Sequence, residues 1–546
     1  MNRPPPRQSP APGSGANAAP TMAVVNARVW TGDHRRPWAD AVVAAADRVA
    51  LVGSSAEARK MVRPSTDVID AGGAMVVPGF IDSHIHFLEG GVGLASVQLR
   101  DARTRDEFVR RIAEFARTVP PGTWITNGDW DHEWWGGTLP ARDWIDAVTP
   151  GHPVWVSRLD HHMSLANSLA LRLAGVDRDT ADVVGGTIVR DATGQPTGIL
   201  KDNAESLVDR VLPSATDAEQ RRALDAAMRY VASHGVTSVH HMGTWDDLAV
   251  FQRAHADGAL HTRIYAAVPI HTWQRLRDVV AQDGRGDEWL RIGALKGFVD
   301  GSLGSHTAAM LEPYDDAPDD VGLFVNTPED LHEWIAAADT AGLHSVTHAI
   351  GDRAVRTLLD IYERVAREHG PRDRRFRIEH AQHMAPEDMA RFGELDVIAS
   401  VQPYHAIDDG RWAEKLIGRE RARRTYAFRS LLDSGARLAC GSDWPVAPAT
   451  PLEGIYAAAT RRTLDGRNPN GWHPAQRITV DDALRGYTSS AAFASYDEAS
   501  KGVLARGMLA DFAMIDRDLT RTAPESIAEA RIMMTVAGGR VVYDAR

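Results

Sequence analysis

The segment PGFIDSHIHF, residues 78–87, contains two histidines, His84 and His86, that are two positions apart. In a β-strand, side chains at positions i and i+2 point to the same side. Two neutral imidazoles on one side of a strand can bind one metal ion when a hydrogen-bond acceptor orients each ring. Surface histidines often share this spacing, so the pair alone is weak evidence for a metal site. The evidence becomes stronger only if further potential ligands lie beside the pair.

Three further strand-like segments end in a histidine or an aspartate. The segment VTH ends at His348, IEH ends at His380, and ACGSD ends at Asp443. Imidazole and carboxylate groups suit zinc, manganese, iron and cobalt alike. The single cysteine, Cys440, excludes a disulfide within the chain and a multi-cysteine metal site. Histidine and carboxylate side chains are therefore the candidate metal ligands.

A lysine, Lys296, lies in the apolar segment ALKGFVDGSLGS. A buried lysine is costly unless its charge is removed or paired, and its free amine can then react. Carbamylation by CO2 would turn Lys296 into a carboxylate that can bridge two cations. Pairing with a buried acid such as Asp300 is an equally good interpretation of the residues alone.

The middle of the chain alternates apolar strands with amphipathic helices, which predicts a (β/α)8 TIM barrel. In such a barrel the chemistry lies at the C-terminal ends of the strands. The eight strand candidates are Met75–Phe87, Val236–Met242, Thr262–Pro269, Ile292–Val299, Ser345–Ala349, Phe376–Ala381, Val397–Pro403 and Arg437–Gly441.

The predicted barrel, residues 79–498, is longer than the minimal size of about 250 residues. The surplus, at about 97–205, predicts an inserted subdomain after the first barrel strand. Strand-like segments at 22–78 and 499–546 predict one small β-sandwich domain that both termini build. Residues 1–21 contain six prolines and no apolar core, which predicts a disordered tail.

The composition of the chain excludes some classes of function. The chain of 546 residues carries 61 Lys and Arg against 73 Asp and Glu, a net charge of −12. This charge argues against a nucleic-acid binder and against a membrane-surface protein, which need a basic face. The sequence contains no run of 18 consecutive apolar residues, so it predicts no membrane-spanning helix. The first 20 residues lack the apolar core of a secretory signal peptide. A cytoplasmic enzyme is the expectation.

Taken together, the motifs resemble the amidohydrolase superfamily, and within it the amidohydrolase-3 group that includes N-substituted formamide deformylases. The resemblance covers nearly the whole chain after the tail. The motifs that carry it are PGFIDSHIH, WITNGDWDHEWW, RLDHHMSLANSLAL, GQPTGILKDNA, GVTSVHHMG, LKGFVDGSLGS, HAIGDRAV, RIEHAQH, GSDWPV and the closing ADFAMID and VAGGRVVYD.

The resemblance implies a binuclear centre of two divalent ions, most often zinc. His84, His86 and Asp443 would hold one ion. His348 and His380 would hold the other, and carbamylated Lys296 would bridge them. The implied reaction is hydrolysis of a non-peptide C–N bond, of the amide or N-formyl type, in a small molecule. A metal-bridging hydroxide attacks the carbonyl carbon with Asp443 as general base. Many relatives pair as homodimers, but the sequence leaves the oligomeric state of this chain open.

Six further residues are candidates for substrate contact. The alternative for each is a structural role, either in packing or in hydrogen bonds that hold a loop in place. They are Trp130, Asp131, His162, Asp202, His241 and His405. Three loop positions depart from the family's pattern, namely Asp129, His161 and His306. Because loops of this kind can line the pocket, these departures leave the identity of the substrate undetermined.

Two other functions remain open at this stage. One is a mononuclear aminohydrolase, such as a deaminase, with an unmodified Lys296 and with His380 used on the substrate. The other is a non-catalytic metal-binding barrel. The number of metal ions per chain distinguishes the first from the binuclear hydrolase.

Overall fold

A computed structural model describes residues 19–546 of the chain. Eight parallel strands form one sheet in chain order, which confirms the predicted (β/α)8 barrel. The first and eighth strands meet where the Asp443 N–H donates to the His84 carbonyl at 2.7 Å. In order, the barrel strands are Phe80–Ile85, Val236–Met242, Arg263–Pro269, Leu290–Phe298, His344–Ala349, Arg377–His380, Ile398–Val401 and Arg437–Cys440.

Helices follow the barrel strands and cover the outside of the sheet. The helix Pro328–Thr340 shows why they form: the Thr327 side chain accepts from the Asp330 N–H, and proline occupies the first turn. Its buried face contains Leu331 and Ile335. The helices of the barrel are Phe87–Gly93, Asp217–Ser233, Trp245–Ala256, Trp273–Asp283, Pro328–Thr340, Asp352–His369, Pro386–Glu394, Pro403–Asp409, Ala413–Ala422, Phe428–Asp433, Pro451–Thr460, Val480–Gly486 and Ser489–Phe493.

The strand predicted over residues 75–87 is two strands in the structure. Met75–Pro78 belongs to a terminal sheet, and Phe80–Ile85 belongs to the barrel. The break falls at Gly79, whose N–H donates to the Asp511 carbonyl at 2.9 Å. A Cβ at this position would lie 2.2 Å from Thr237 Oγ1. Only glycine lets the chain pass this close to the second strand, and apolar patterning alone does not reveal such a contact.

We expect Gly79→Ala to lower the thermal midpoint of unfolding, because the added methyl group overpacks a site where strain costs about 1–3 kcal/mol. Differential scanning fluorimetry measures the shift. Gly93→Ala is the matched control, since the position of its Cβ is open among the described residues. Equal midpoints for the two variants would contradict the role given to Gly79.

Both termini build the predicted β-sandwich. One sheet has the order Arg48–Gly53, Ala41–Ala45, Met22–Val25, Asp67–Asp70. The other has the order Arg540–Asp544, Ile532–Ala537, Phe512–Ile515, Met75–Pro78, Arg28–Trp30, Trp38–Ala39. Apolar side chains of the two sheets share one core, in which Val24 and Val42 pack with Val76 and Phe512. The short helix Ser55–Met61 lies beside the first sheet.

The chain between the first and second barrel strands carries a sheet of its own. Its strands, in spatial order, are Gly186–Arg190, Pro196–Asp202, Met163–Ala166, Val154–Ser157 and Ile125–Thr126. The helix Arg105–Ala116 packs Phe108 and Ile112 into the core beneath this sheet. The short helices Ser168–Ala174 and Ser206–Asp209 complete this insert.

Residues 1–18 of the predicted tail lie outside the described residues, and the exact domain boundaries stay predictions. Thr21, the last residue of that predicted tail, already pairs through its backbone: its N–H donates to Ala44 and its carbonyl accepts from Asp67, both at 2.9 Å. Within residues 19–546, no helix combines the length and the apolar character needed to cross a bilayer.

Candidate metal centre

Three predicted ligands converge where the first and eighth barrel strands meet. Nε2 of His84 lies 3.2 Å, and Nε2 of His86 lies 3.3 Å, from the same carboxylate oxygen, Oδ1 of Asp443. His84 is the penultimate residue of the first strand, and His86 occupies the N-cap position of the helix that follows, without a capping hydrogen bond from its side chain. The three groups form one candidate site for a metal ion.

A second candidate set shares Asp443 and adds His380 and His405. His380 lies at the end of the sixth strand, with its ring centre 4.7 Å from that of His84 and 4.5 Å from that of His348. His405 stacks on His380 at 6.5 Å. The structure thus adds His405, predicted as a substrate contact, to the potential ligands.

Each of three buried histidines has one ring nitrogen engaged by an oxygen acceptor. Nδ1 of His84 lies 2.5 Å from Glu379, and Nδ1 of His380 lies 2.8 Å from the Gln402 amide oxygen. Nε2 of His348 lies 3.0 Å from the Gly301 carbonyl. These acceptors fix the proton on one nitrogen, so the other keeps its lone pair. Burial lowers the pKa of His348 and His380 well below the usual value, which keeps both rings neutral.

This arrangement fits a divalent cation. With its proton on Nδ1, His84 directs the Nε2 lone pair into the space between Asp443 Oδ1, at 3.2 Å, and the Lys296 ammonium, at 3.3 Å. Oδ1 of Asp443 is buried and has no hydrogen-bond donor among residues 19–546. An acceptor of this kind is costly without a positive partner.

Lys296 lies in the fourth strand with its ammonium 3.3 Å from His84 Nε2. Burial lowers the pKa of Lys296 to about 8, which makes the free amine accessible near neutral pH. The alternative partner, Asp300, instead accepts from the backbone N–H groups of Ala309, Ile350 and Gly351 at 2.8–3.0 Å. Within the described part of the chain, no carboxylate forms a salt bridge with Lys296, so pairing with Asp300 is not observed.

A partly open cavity lies over these groups. His86, Lys296, His348, His380 and Asp443 line it, and so do two of the six predicted substrate contacts, His162 and His405. Asp202 does not line the cavity itself, but its Oδ1 lies 2.6 Å from Nδ1 of His162.

The other three predicted contacts lie behind the cavity wall. Trp130 is fully buried in the core of the insert, where its Nε1 donates to the Val156 carbonyl at 2.8 Å. Asp131 Oδ2 accepts from Arg411 at 2.7 Å. His241 Nδ1 accepts from the Phe87 N–H at 3.0 Å. These three predictions are corrected: packing and hydrogen bonding to neighbouring elements hold the side chains there.

Sequence reasoning missed the groups that hold the ligands in place. Arg377 and Glu379 lie two positions apart inside an apolar strand, and Arg377 Nε donates to Glu379 Oε1 at 2.8 Å. Burial opposes ionisation, yet the Arg377 guanidinium and His84 hold the pKa of Glu379 at about 2. The alternation RIEH, with two charged residues on one face of a buried strand, is the signal that could have revealed them.

Two of the departures from the family's pattern meet at the cavity. His161 lines it, and its ring nitrogens lie 3.0 Å from Glu89 and 3.0 Å from Asp129. Glu89 belongs to the helix after the first barrel strand, so this contact connects the insert to the barrel. The third departure, His306, stacks on Tyr314 at 4.5 Å.

A closed (β/α)8 barrel with imidazole and carboxylate ligands at its strand ends defines the class of metal-dependent hydrolase barrels. The family model described as "Amidohydrolase family" matches residues 67–543. The chain therefore belongs to the amidohydrolase family.

Similar proteins come from plants, bacteria and archaea. The protein LONG AFTER FAR-RED 3 of Arabidopsis thaliana is 42% identical, over 96% of this chain and 91% of its own length. The N-substituted formamide deformylase of Arthrobacter pascens is 29% identical, over 96% of this chain and 98% of its own. An uncharacterized metal-dependent hydrolase from Pyrococcus furiosus superimposes with a TM-score of 0.72 at 29% identity, over 92% of this chain and 100% of that chain.

Proposed function

We propose that this protein is a metal-dependent enzyme that hydrolyses a non-peptide C–N bond, of the amide or N-formyl type, in a small molecule. The observation that carries the proposal is the convergence of His84 Nε2 and His86 Nε2 on one unpaired oxygen of Asp443. This cluster opens into a cavity that residues of both the barrel and the insert line.

The proposed centre holds two divalent ions, with zinc as the expected metal. His84, His86 and Asp443 would hold one ion, and His348 and His380 would hold the other. Lys296 would join the two once carbamylated, and its free amine, favoured by burial, is the form that reacts with CO2. Bound divalent ions would polarise the substrate carbonyl and lower the pKa of water.

The chain's own acid–base group in this proposal is Asp443. Its carboxylate takes the proton of the attacking water and delivers it to the leaving nitrogen, so the products are a carboxylate and an amine. The name of the Arthrobacter relative supports an N-formyl or similar amide as substrate. The cytoplasmic location stays a prediction, and the oligomeric state stays open.

The metal content of the purified protein tests this proposal. We expect about two divalent ions per chain in the wild type and about one in Lys296→Met, because only the wild type can form the bridging carbamate. Inductively coupled plasma mass spectrometry on protein prepared without chelators or a His tag gives the count.

The outcomes separate the alternatives. One ion in the wild type that added metal does not increase would favour the mononuclear aminohydrolase. Two ions in both proteins would refute the bridging role of Lys296. No ion after reconstitution would overturn the enzymatic proposal.

A further inference from the structure

One part of the cavity wall, away from the candidate metal ligands, is acidic. Besides Asp443, the carboxylates that line the cavity are those of Asp160, Asp408 and Asp409. Asp160 comes from the insert, and the other two end the helix Pro403–Asp409 that follows the seventh barrel strand. We call these three residues the acidic wall. The hydrolytic proposal above uses none of them.

Arginine side chains pair with two carboxylates of the acidic wall. Asp160 Oδ2 lies 2.5 Å from Arg158 Nη1. Asp408 Oδ2 lies 2.7 Å from Arg100 Nη2, and its Oδ1 accepts a hydrogen bond from Arg411. These two carboxylates are therefore already neutralised by the chain itself, and they leave no charge for a ligand.

The count of charges around the acidic wall leaves one carboxylate over. Arg411 also binds Asp131, which lies behind the wall, at 2.7 Å. The guanidinium groups of Arg100, Arg158 and Arg411 thus match the carboxylates of Asp131, Asp160 and Asp408. Asp409 is a fourth carboxylate, and within residues 19–546 it forms no salt bridge with a lysine, an arginine or a histidine.

The hydrogen bonds of Asp409 leave one of its oxygens free. Its Oδ2 accepts from the Tyr426 hydroxyl at 2.5 Å and from Gln382 Nε2 at 3.1 Å. Its Oδ1 accepts no hydrogen bond in the described part of the chain, and it is not among the unpaired atoms that are closed off from solvent. Because the side chain is partly exposed and lines the cavity, Oδ1 is the oxygen that faces it.

The surroundings of Asp409 favour a cation beside this oxygen. Burial raises the pKa of Asp409 to about 7, and the negative charge of Asp408 acts in the same direction. Asp409 is also the last residue of its helix, and the C-terminal end of a helix favours positive charge. A cation in the cavity would offset both effects and stabilise the ionised carboxylate.

We propose that Asp409 binds a protonated amine of the substrate, so that the molecule whose amide is cleaved also carries an ammonium group. Oδ1 supplies the acceptor, and the unmatched carboxylate supplies the charge. Gln382, which holds the other oxygen, lies two residues after the candidate ligand His380, so this subsite adjoins the candidate metal centre. The inference rests on the proposed amide hydrolysis and names the chemical class of its substrate.

Matched pairs of probes test the subsite. Mono-N-formyl-1,4-diaminobutane and N-pentylformamide differ only in that a methyl group replaces the ammonium. With metal-loaded wild type we expect kcat/KM and calorimetric affinity to favour the amine by about tenfold or more. A series of mono-N-formyl diamines with two to six carbons, each with its alkyl partner, should show this preference at a single best length, because Asp409 has a fixed place in the cavity.

Substitutions of Asp409 identify the group that recognises the amine. Asp409→Asn removes the charge and keeps the size, so it should abolish the preference. Asp409→Glu keeps the charge and moves it by one carbon, so it should retain a preference whose best length is shorter. This shift is a readout that a merely structural role would not produce.

Asp352→Asn is the matched control. Asp352 is likewise a buried carboxylate whose pKa burial raises, and it accepts from the Leu311 N–H at 2.7 Å. It does not line the cavity, so its variant should retain the wild-type preference. If Asp409→Asn fails to fold, the length series in the wild type and in Asp409→Glu still decides the question.

The results distinguish this inference from the function on which it rests. Equal hydrolysis of the amine and its alkyl partner at every length overturns the subsite and leaves the amidohydrolase intact. Preferential binding of the amine without turnover of any probe supports the subsite and counts against the N-formyl reaction. A preference that is independent of length, or that survives in Asp409→Asn, overturns the subsite, and so does a failure of the amines to bind.

Discussion

Replacing Asp443 by asparagine is expected to give a folded protein whose kcat for an amide substrate is lower by about 10²–10⁴-fold or more. Asparagine keeps the size of the side chain, yet its amide cannot accept the proton of the attacking water. Steady-state kinetics at saturating metal measures the loss. Metal content and the thermal midpoint, measured on the same samples, separate it from metal loss and unfolding.

A buried carboxylate elsewhere in the barrel provides the comparison for this variant. Asp339 is held by Arg374 at 2.9 Å at the end of an outer helix. Asp339→Asn should lower the thermal midpoint while kcat stays near the wild-type value. Near wild-type kcat in metal-loaded Asp443→Asn would remove Asp443 as the base.

Glu379→Gln is the second substitution with a large expected effect, and it acts on metal affinity. The Glu379 carboxylate accepts a hydrogen bond from His84 Nδ1, with Oε2 and Nδ1 2.5 Å apart. Arg377 Nε in turn donates a hydrogen bond to the other oxygen of this carboxylate. A neutral glutamine weakens both contacts, so His84 loses its fixed tautomer and part of its basicity. We expect metal binding to weaken by about 10–100-fold, measured by competition with a chelating dye.

A second buried ion pair serves as the matched control. Arg263 binds Asp511 at 2.7 and 3.0 Å where the third barrel strand meets the terminal sandwich. Asp511→Asn removes an equally buried carboxylate without touching the metal ligands, so it should lower stability and leave metal affinity unchanged. Equal losses of affinity in the two variants would assign the effect of Glu379→Gln to general destabilisation.

The convergence of the candidate metal ligands could be predicted from the sequence because two periodicities determine it. Side chains alternate along a strand, and the C-terminal ends of eight barrel strands meet in one place, so His84, His348, His380 and Asp443 had to converge. The order of the strands followed from the alternation of strands and helices. Only the first strand was misjudged, because Gly79 divides it through a contact with a distant residue.

The residues that contact the substrate could be predicted much less well than the candidate metal ligands, because their positions depend on how the loops fold. Trp130 and His162 both lie in the insert, yet one packs inward and the other faces the cavity. Local patterning does not distinguish the two directions. Arg158 of the insert and Trp412 of the segment after the seventh barrel strand both line the cavity, and their meeting there follows only from the packing of the insert against the barrel.

The composite sandwich has a consequence for the order in which the chain folds. Met75–Pro78, immediately before the strand that carries His84, pairs on one side with Phe512–Ile515. That partner follows all eight barrel strands in the sequence, so the ribosome must synthesise the whole barrel before this sheet can form. Pairings this distant in sequence slow folding. We expect the nascent barrel to expose the Met75–Pro78 edge until Phe512–Ile515 has been synthesised, and to complete the candidate metal site only after that pairing.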